Sequence, residues 1–493
     1  MAGNKRKKFG SELCENPLLL FSTDDCSITR PAAGYRNGTE INNRGSNGNY
    51  WSGTLNESNS NNAYNLNFNS SDHYVNNNYR ENGHTVRPVS ELATSNSTHS
   101  LYKITPQQLL TDLYIAYKDA RKHKRRKKYQ LNFELNLEEN LIALRDEIYE
   151  RKYVPKASTC FIVNSPIKRE VFAADFRDRV VHHLFYNYTY SLFERVFIND
   201  SYSCRKRKGT HYGFKRLQHH IRRVSSHYSR HCYVLKVDIK GYFMHINRRA
   251  LLDICIATLN KMAMRESVLV GKKWCEIIDY DLLYYLLEVI VLNNPLENCI
   301  KRGKAEDWVG LPNSKSLFYS AKGCGLPIGN LTSQLFSNVY MNSFDQYVKR
   351  TLKMRAYGRY VDDIYIVSGS KNELREIVAV LDDFLKSKLQ LNLNPQKTNI
   401  CNVKNGVVFL GGYAKPFRNY ISNRSFKRMK VNIKRLSSCD SPNLIVASVN
   451  SFAGVLSHYS SYNLRCALFN GLGYLNDIGY FCNYYMKFKV VKS

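Results

Sequence analysis

The chain has 493 residues, 43% of them hydrophobic and 13% aromatic, enough apolar material for at least two sizeable cores and too much for a disordered chain. Its formal charge of +31 lies wholly in residues 101–493, which carry 63 Lys and Arg against 32 Asp and Glu, while residues 1–100 carry nine of each. An excess of that size in a folded body implies a polyanionic partner, most simply a phosphate backbone, rather than a solvated face of mixed sign.

Along the chain, the basic cluster "KRKK" at 5–8 precedes an apolar stretch, "PLLLF", too short for a signal sequence. Thirteen cysteines, scattered without a CxxC pair, suit neither a disulfide framework nor a zinc site, as in a reducing, cytoplasmic chain. Residues 1–100 are rich in Asn and Ser. In "NYWSGTLNESNSNNAYNLNFNSS", 49–71, eight of 23 residues are Asn, and the zone reads as largely irregular and poorly ordered. The charge step near residue 100 marks a boundary. Beyond it "TPQQLLTDLYIAYKDA", 105–120, predicts an amphipathic helix with Leu109, Leu110, Leu113, Ala116 and Tyr117 on one face. "RKHKRRKK", 121–128, reads as a solvated basic segment. The longest apolar run, "LLYYLLEVIVL" at 282–292, contains Glu288 and falls far short of the roughly 20 residues that span a bilayer, so it predicts a core helix and no membrane partner. In "NRSFKRMKVNIKRL", Phe426, Met429, Ile433 and Leu436 form one apolar helix stripe, with Lys427, Arg428, Lys430, Lys434 and Arg435 on the other faces. Such a helix suits a nucleic-acid duplex or an ordinary basic surface about equally.

"YGRYVDDIYIV", 357–367, places Asp362 and Asp363 between two β-prone runs, as a tight hairpin would. Alone, an Asp pair there is usually only a turn. Upstream, however, "YVLKVDIKGYF", 233–243, is an apolar strand ending in Asp238. Three carboxylates at a strand end and a facing hairpin form an anionic cluster that is costly unless metals neutralise it. Such a set can hold two Mg²⁺ about 3.5–4 Å apart, the arrangement that serves phosphoryl transfer.

With these residues the chain resembles the reverse transcriptases, in order across residues 130–415. "KREVFAADFRDRVVHH" (168–183) resembles the fingers motif, "VDIKGYF" motif A, "GLPIGNLTSQLFSN" (325–338) motif B and "YVDD" motif C. "LNLNPQKTNI" (391–400) resembles motif D and "FLGGY" (409–413) the primer grip. The resemblance implies an α+β right-hand polymerase with fingers, an antiparallel palm sheet and a small helical thumb. It assigns 101–415 to fingers and palm and 416–493 to a basic helical thumb. Asp238, Asp362 and Asp363 would be the catalytic carboxylates, holding two Mg²⁺, or Mn²⁺, with the Ile239 carbonyl. Phe243, five residues after Asp238, matches the steric gate against a ribose 2′-hydroxyl. Lys168 and Arg169 match the residues that hold the triphosphate. Lys397 matches a general acid for pyrophosphate. Pro327, Ile328, Gly329 and Gln334 fall in the nucleotide-binding motif, with Gly325 and Gly329 permitting close backbone approach. Phe409, Leu410, Gly411 and Gly412 fall in the primer grip. Ile328 stands where the retroviral pattern has a glutamine that contacts the nucleotide sugar, and this departure implies low fidelity. Each assignment has a plainer alternative: a core aromatic for Phe243, a surface cation for Lys168, Arg169 or Lys397.

"GLPIGNLTSQ" and the segment 293–318 resemble one branch, the reverse transcriptases of diversity-generating retroelements. The expected partners are an RNA template, the cDNA primer–template duplex, dNTPs and, by resemblance only, a small basic helical accessory protein. About 80 residues follow the primer grip, room for a small thumb but not for an RNase H or endonuclease domain. Residues 31–91 resemble the C-terminal end of the C-type-lectin-like proteins that such elements diversify. Sixteen of residues 34–90 are Asn, whose codons tolerate random change at both adenines without creating a stop codon. The segment therefore reads as a translated template repeat. The competing readings are a ligand-binding module fused to a polymerase, a phage-defence reverse transcriptase, and an inactive scaffold.

Overall fold

The computed structural model describes residues 101–122, 127–164, 167–267, 270–439 and 441–490 in full, together with the backbone of eight strands between residues 19 and 84. The chain divides into two compact units, Met1–Asn96 and Ser97–Ser493.

In the first unit, Leu19–Thr23 pairs antiparallel with Cys26–Arg30. Tyr35–Asn37 lies between Glu40–Asn42 and Gly83–His84, and Asn62–Phe68 lies between Gly48–Leu55 and His73–Tyr79. The expectation of a largely irregular segment is corrected for these stretches. Asparagine-rich composition argues for disorder, but "YNLNF" within the strand Asn62–Phe68 alternates apolar and polar residues with the period of a strand, and backbone ladders need no apolar majority.

In the second unit, Pro106–Arg121 (α1) is the predicted amphipathic helix, capped by Thr105, whose hydroxyl accepts the Gln108 N–H at 3.2 Å. Leu109, Leu113, Ala116 and Tyr117 are buried and Leu110 half-buried. The basic run at 121–128 falls largely outside the described residues; Lys128 opens the next helix. Thr159–Val163 (β1) and Arg169–Ala173 (β2) form an antiparallel hairpin, extended by a parallel pairing of Ile300–Lys301 with β1. Phe176–Glu194 (α2) and Thr210–Val224 (α3) follow.

The central sheet comprises Tyr233–Val237 (β3), Tyr357–Tyr360 (β4), Asp363–Ser368 (β5) and Asn399–Asn402 (β6), antiparallel in the order β4-β5-β3-β6. Both faces are covered, which is why these strands are nearly continuously apolar. Leu235, Val237, Ile364 and Ile366 join the larger core, whereas Val234, Tyr365 and Val367 join a second one. The larger core is built by α1, α2, Tyr280–Leu292 (α4), Leu331–Gln346 (α5) and Lys371–Leu389 (α6). The apolar run at 282–292 is therefore the expected core helix, with Glu288 exposed; among the described residues no helix is long and apolar enough to cross a membrane.

The second core joins α3 to a small sheet, Val407–Phe409 (β7), Gly412–Lys415 (β8) and Arg418–Ile421 (β9), and to three helices, Asn423–Arg435 (α7), Pro442–Ser457 (α8) and Tyr462–Asn470 (α9). In α7, Met429 and Ile433 are buried and Phe426 and Leu436 half-buried, the stripe expected from spacing. The C-terminal zone is not wholly helical: Gly479–Cys482 pairs with Lys487–Val490 around Asn483, Tyr484 and Tyr485, all at positive φ. Its packing against α8 through buried Phe488, whose carbonyl accepts from Asn450, is a tertiary contact that helical spacing does not reveal.

Beneath the β4–β5 turn lies a fully buried ion pair. Arg359 Nη2 and Nε donate to the Asp345 carboxylate at 2.7 and 2.8 Å, both side chains wholly excluded from solvent. Tyr357 donates to the same carboxylate. Leaving Arg359 charged and unpaired in the interior carries a large desolvation cost. Asp345→Asn should therefore lower unfolding stability by about 3–5 kcal/mol, read by denaturant titration of the wild type and the variant.

Candidate active site

The strand ends bring the three predicted carboxylates together. β3 pairs with β5 to its last residue, Val237 opposite Ile364, so Asp238 emerges beside the start of β5. β4 and β5 meet at Tyr360 opposite Asp363, leaving Val361 and Asp362 as a two-residue turn. Val361 sits at φ 57°, unfavourable for a β-branched residue. The turn is held by Arg359, whose Nη1 donates to the Val361 carbonyl at 3.0 Å. That guanidinium also reaches Ser201 Oγ at 3.2 Å, and its backbone is clamped between Asp200 and Tyr202.

Asp238 is buried and accepts from Lys397 Nζ at 2.7 Å; its backbone carbonyl accepts the Asn394 N–H at 2.7 Å. Desolvation, followed by the charges of Asp363 and Asp238, raises Asp362 to about 6. Desolvation and Asp238 raise Asp363 as well. For Lys397, desolvation is outweighed by Asp238 and the other two carboxylates, and its ammonium is held above the usual lysine range. Among the described residues no three His, Cys, Asp or Glu side chains form a ready-made cage for an ion. The donor set nevertheless fits hard divalent cations: it is all oxygen, it repels itself, and Lys397 already supplies it with positive charge.

Ile239 is buried and bridged to Leu393. Phe243 lies in the short helix Tyr242–His245, its ring 5.3 Å from Tyr242. It packs with Ile328 on one small apolar cluster around Phe172, Met244 and Leu317. The segment from 325 to 330 is stitched to β2, with the Ile328 carbonyl accepting the Phe172 N–H at 2.8 Å. Gly329 is at φ 133°, and a Cβ there would stand 2.8 Å from the Phe172 carbonyl oxygen, so only glycine allows this approach. Pro327 is half-buried, and Gln334 is exposed on the first turns of α5.

The two basic residues at the start of β2 diverge. Arg169 is near enough for its charge to act on Tyr360, next to the carboxylate turn. Lys168 donates instead to the Val309 carbonyl at 2.7 Å. Between them and the core, Glu170 fastens the 296–318 segment to the hairpin: it is buried and accepts from Trp308 Nε1 at 2.8 Å, Ser316 Oγ at 3.0 Å and the Leu317 N–H at 2.7 Å.

The β7–β8 hairpin turns on Leu410 and Gly411, both at positive φ, as a two-residue turn that follows strand twist requires. Phe409 packs edge-on against Tyr365, 5.0 Å away. Gly412 lies against the Phe214 ring, which a Cβ would meet at 2.5 Å. A cleft of about 480 Å³ runs from Lys236 and Asp363 to Phe409, Leu410, Gly411 and Ser425.

Reading the sequence missed Arg359, Asp345, Glu170, Asn394 and Lys236. The one available signal was Arg359 itself, a cation inside an apolar strand that had to find a buried partner.

The family of reverse transcriptase (RNA-dependent DNA polymerase) matches residues 176–413, and a domain of unknown function (DUF8237) matches residues 22–89. Protein YkfC of Escherichia coli (strain K12) is 26% identical over 302 residues, covering 54% of this chain and 69% of that protein. Among solved structures, apo telomerase from Candida tropicalis truncated from its C-terminal domain aligns with TM-score 0.39 at 13% identity over 54% of this chain and 55% of that one. Apo telomerase from the same organism aligns with TM-score 0.41 at 11% identity over 60% and 51%. The chain thus spans about half the length of the telomerase structures that it matches.

The site makes a prediction in metal-free buffer. Because Asp362 titrates near 6 in the fold against 3.8 for the ordinary group, its charge destabilises the fold above pH 6, a cost relieved as pH falls through 6. Asp362→Asn should raise Tm by roughly 2 °C at pH 7.5, by about half as much at pH 5, and not at all once the pH lies below the ordinary value of 3.8, measured with EDTA present.

Proposed function

We propose that this chain, whose residues 176–413 match the family of reverse transcriptase (RNA-dependent DNA polymerase), is an RNA-directed DNA polymerase and the error-prone enzyme of a diversity-generating retroelement. It copies a template-repeat RNA into adenine-mutagenised cDNA that replaces a variable repeat in a target gene. The observation that supports the polymerase chemistry is the mutual proximity of Asp238, Asp362 and Asp363, with Asp363 lining a cleft that reaches the Leu410–Gly411 turn.

In this reading the β1–β2 hairpin belongs to the fingers, the central sheet to the palm and residues 416–493 to the thumb. Asp238, Asp362, Asp363 and the Ile239 carbonyl would hold two Mg²⁺, or Mn²⁺, which supply activation of the primer 3′-oxygen and neutralisation of the pyrophosphate. The chain's own residues do the positioning. Phe409 to Gly412 support the primer strand along the cleft. Arg169 meets the triphosphate. Lys168 joins it on release from Val309, and Lys397 stands where it can give a proton to pyrophosphate. The Phe243 ring bars a 2′-hydroxyl. Gly329 lets the 325–330 backbone line the nucleotide, with Pro327 and Gln334 beside it. Ile328 offers the sugar no polar contact, which supports loose nucleotide positioning and misinsertion opposite adenine. The partners are template RNA, primer–template duplex, dNTPs and a small basic accessory protein, in the cytoplasm.

Residues 31–91 act as template at the RNA level, and their Asn codons support this. The alternative of a fused binding module gains one specific observation: the strand ladders of Met1–Asn96, over a stretch that matches a family of its own. A near-copy of codons 31–91 in the neighbouring DNA, differing only at adenines, would decide for the template; differences spread over all four bases would remove the mutagenic role.

Two variants test the enzyme. Asp362→Ala should abolish extension of a primed RNA, by at least about a thousandfold; wild-type synthesis would overturn the site. Ile328→Gln should lower misinsertion at template adenines by about tenfold, read by sequencing the cDNA, and an unchanged error spectrum would detach fidelity from this position.

A further inference from the structure

Between Asp200 and Asp238 lie 37 residues with ten Lys and Arg, five His and no Asp or Glu. Four of the ten cations are used within the fold or the cleft. Arg205 pairs with Glu194 and Arg216 with Asp200, Lys208 donates to Asn199, and Lys236 lines the cleft at Asp363. The other six, Lys206, Arg207, Lys215, Arg222, Arg223 and Arg230, are exposed, and among the described residues none has an acidic partner.

Their placement is ordered. Helix α3 buries Phe214, Leu217, His220 and Ile221 against β4 and β5. Lys215, His219, Arg222 and Arg223, spaced i, i+4, i+7, i+8, occupy the outward face. The loop that follows is fixed by its own backbone: Ser226, His227 and Tyr228 are all at positive φ, the His227 N–H donates to Arg222 and the Arg230 N–H to Ser225. Arg230 is thereby set beside the helix end. The track starts where Gly213 meets Leu410 and ends at the N-terminal end of β3, roughly 17 Å along the strand from Asp238. It therefore leads away from the rim of the copying cleft, which none of its six exposed cations lines.

We propose that the outward face of α3, with the 205–208 and 226–231 loops, binds the phosphate backbone of RNA that flanks the copied template. An exposed stripe of one sign with no internal counter-charge is costly to keep and matches a polyanion. The inference rests on the reverse transcriptase reading for the choice of RNA, because a copied RNA longer than the cleft presents flanking phosphates next to this track.

The test uses the full chain. Binding of an RNA hairpin with a single-stranded tail is measured across a salt series for wild type and for Lys215→Gln/Arg222→Gln/Arg223→Gln/Arg230→Gln. Loss of four phosphate contacts should flatten the slope of log K against log salt by about 3, while extension of a primer–template only long enough to fill the cleft stays at the wild-type rate. In the wild type, bound RNA should protect Lys206 and Lys215 from acetylation, a readout that does not depend on the variant's folding. An unchanged slope, unprotected lysines, or protection by polyglutamate and not by RNA would each overturn the proposal. Failure of the wild type to extend the short primer–template would instead sink the polymerase reading and leave the binding result standing.

Discussion

The site depends on one buried charge pair. Three carboxylates can face one another only if the backbone that carries them does not retreat, and the turn bearing two of them contains a β-branched residue in a left-handed conformation. Both features favour relaxation. Arg359 opposes it from below: tied by two bonds to Asp345 on α5, it holds the Val361 carbonyl with a third. The cost of burying this cation is offset by a full set of acceptors, and the result is a turn that cannot move without breaking the interior. Asp200 extends the anchorage. Burial opposes its ionisation, but Arg216 and Lys349 pull it down to about 2, and its backbone carbonyl accepts the Arg359 N–H at 2.9 Å.

Above the turn the electrostatics reverse. The carboxylates lack sufficient positive charge, as the raised Asp362 and Asp363 record; Lys397, bonded to Asp238, and Lys236, whose charge acts on Asp363, answer them in part. An all-oxygen cluster left short of positive charge in this way is chemically suited to hard divalent cations. Rigidity below and unmet charge above divide the labour between α5 and the strand ends.

Much of this was legible in the sequence, for local reasons. The β3 strand, the hairpin with two Asp, α1, the core helix at 280–292 and the stripe on α7 all follow from periodicity and caps, which act over a few residues. What was not legible is long-range. Asp345 is an unremarkable acid at the end of a helix until Arg359 folds against it, and Glu170 meets donors 138–147 residues away. Lys168 and Arg169 are neighbours in the motif, yet Lys168 precedes β2 and reaches Val309, whereas Arg169 opens the strand and acts on Tyr360. Composition misled in the N-terminal zone, where Asn hides strand alternation, and at the C-terminus, where a tyrosine-rich tail closes as a hairpin.

The Glu170 fastening carries a mechanical consequence. A single carboxylate with three donors joins β2 to a segment 138–147 residues further along the chain, and Lys168 adds a fourth tie to the same segment. The hairpin and that segment are thus one lever: any tilt of the hairpin sweeps Trp308 and Leu317 with it, and with Leu317 the wall against which Phe243 and Ile328 rest. The position of Phe243 and Ile328 is then set not by their immediate neighbours alone but by how firmly a remote strip of chain is strapped to a two-stranded arm.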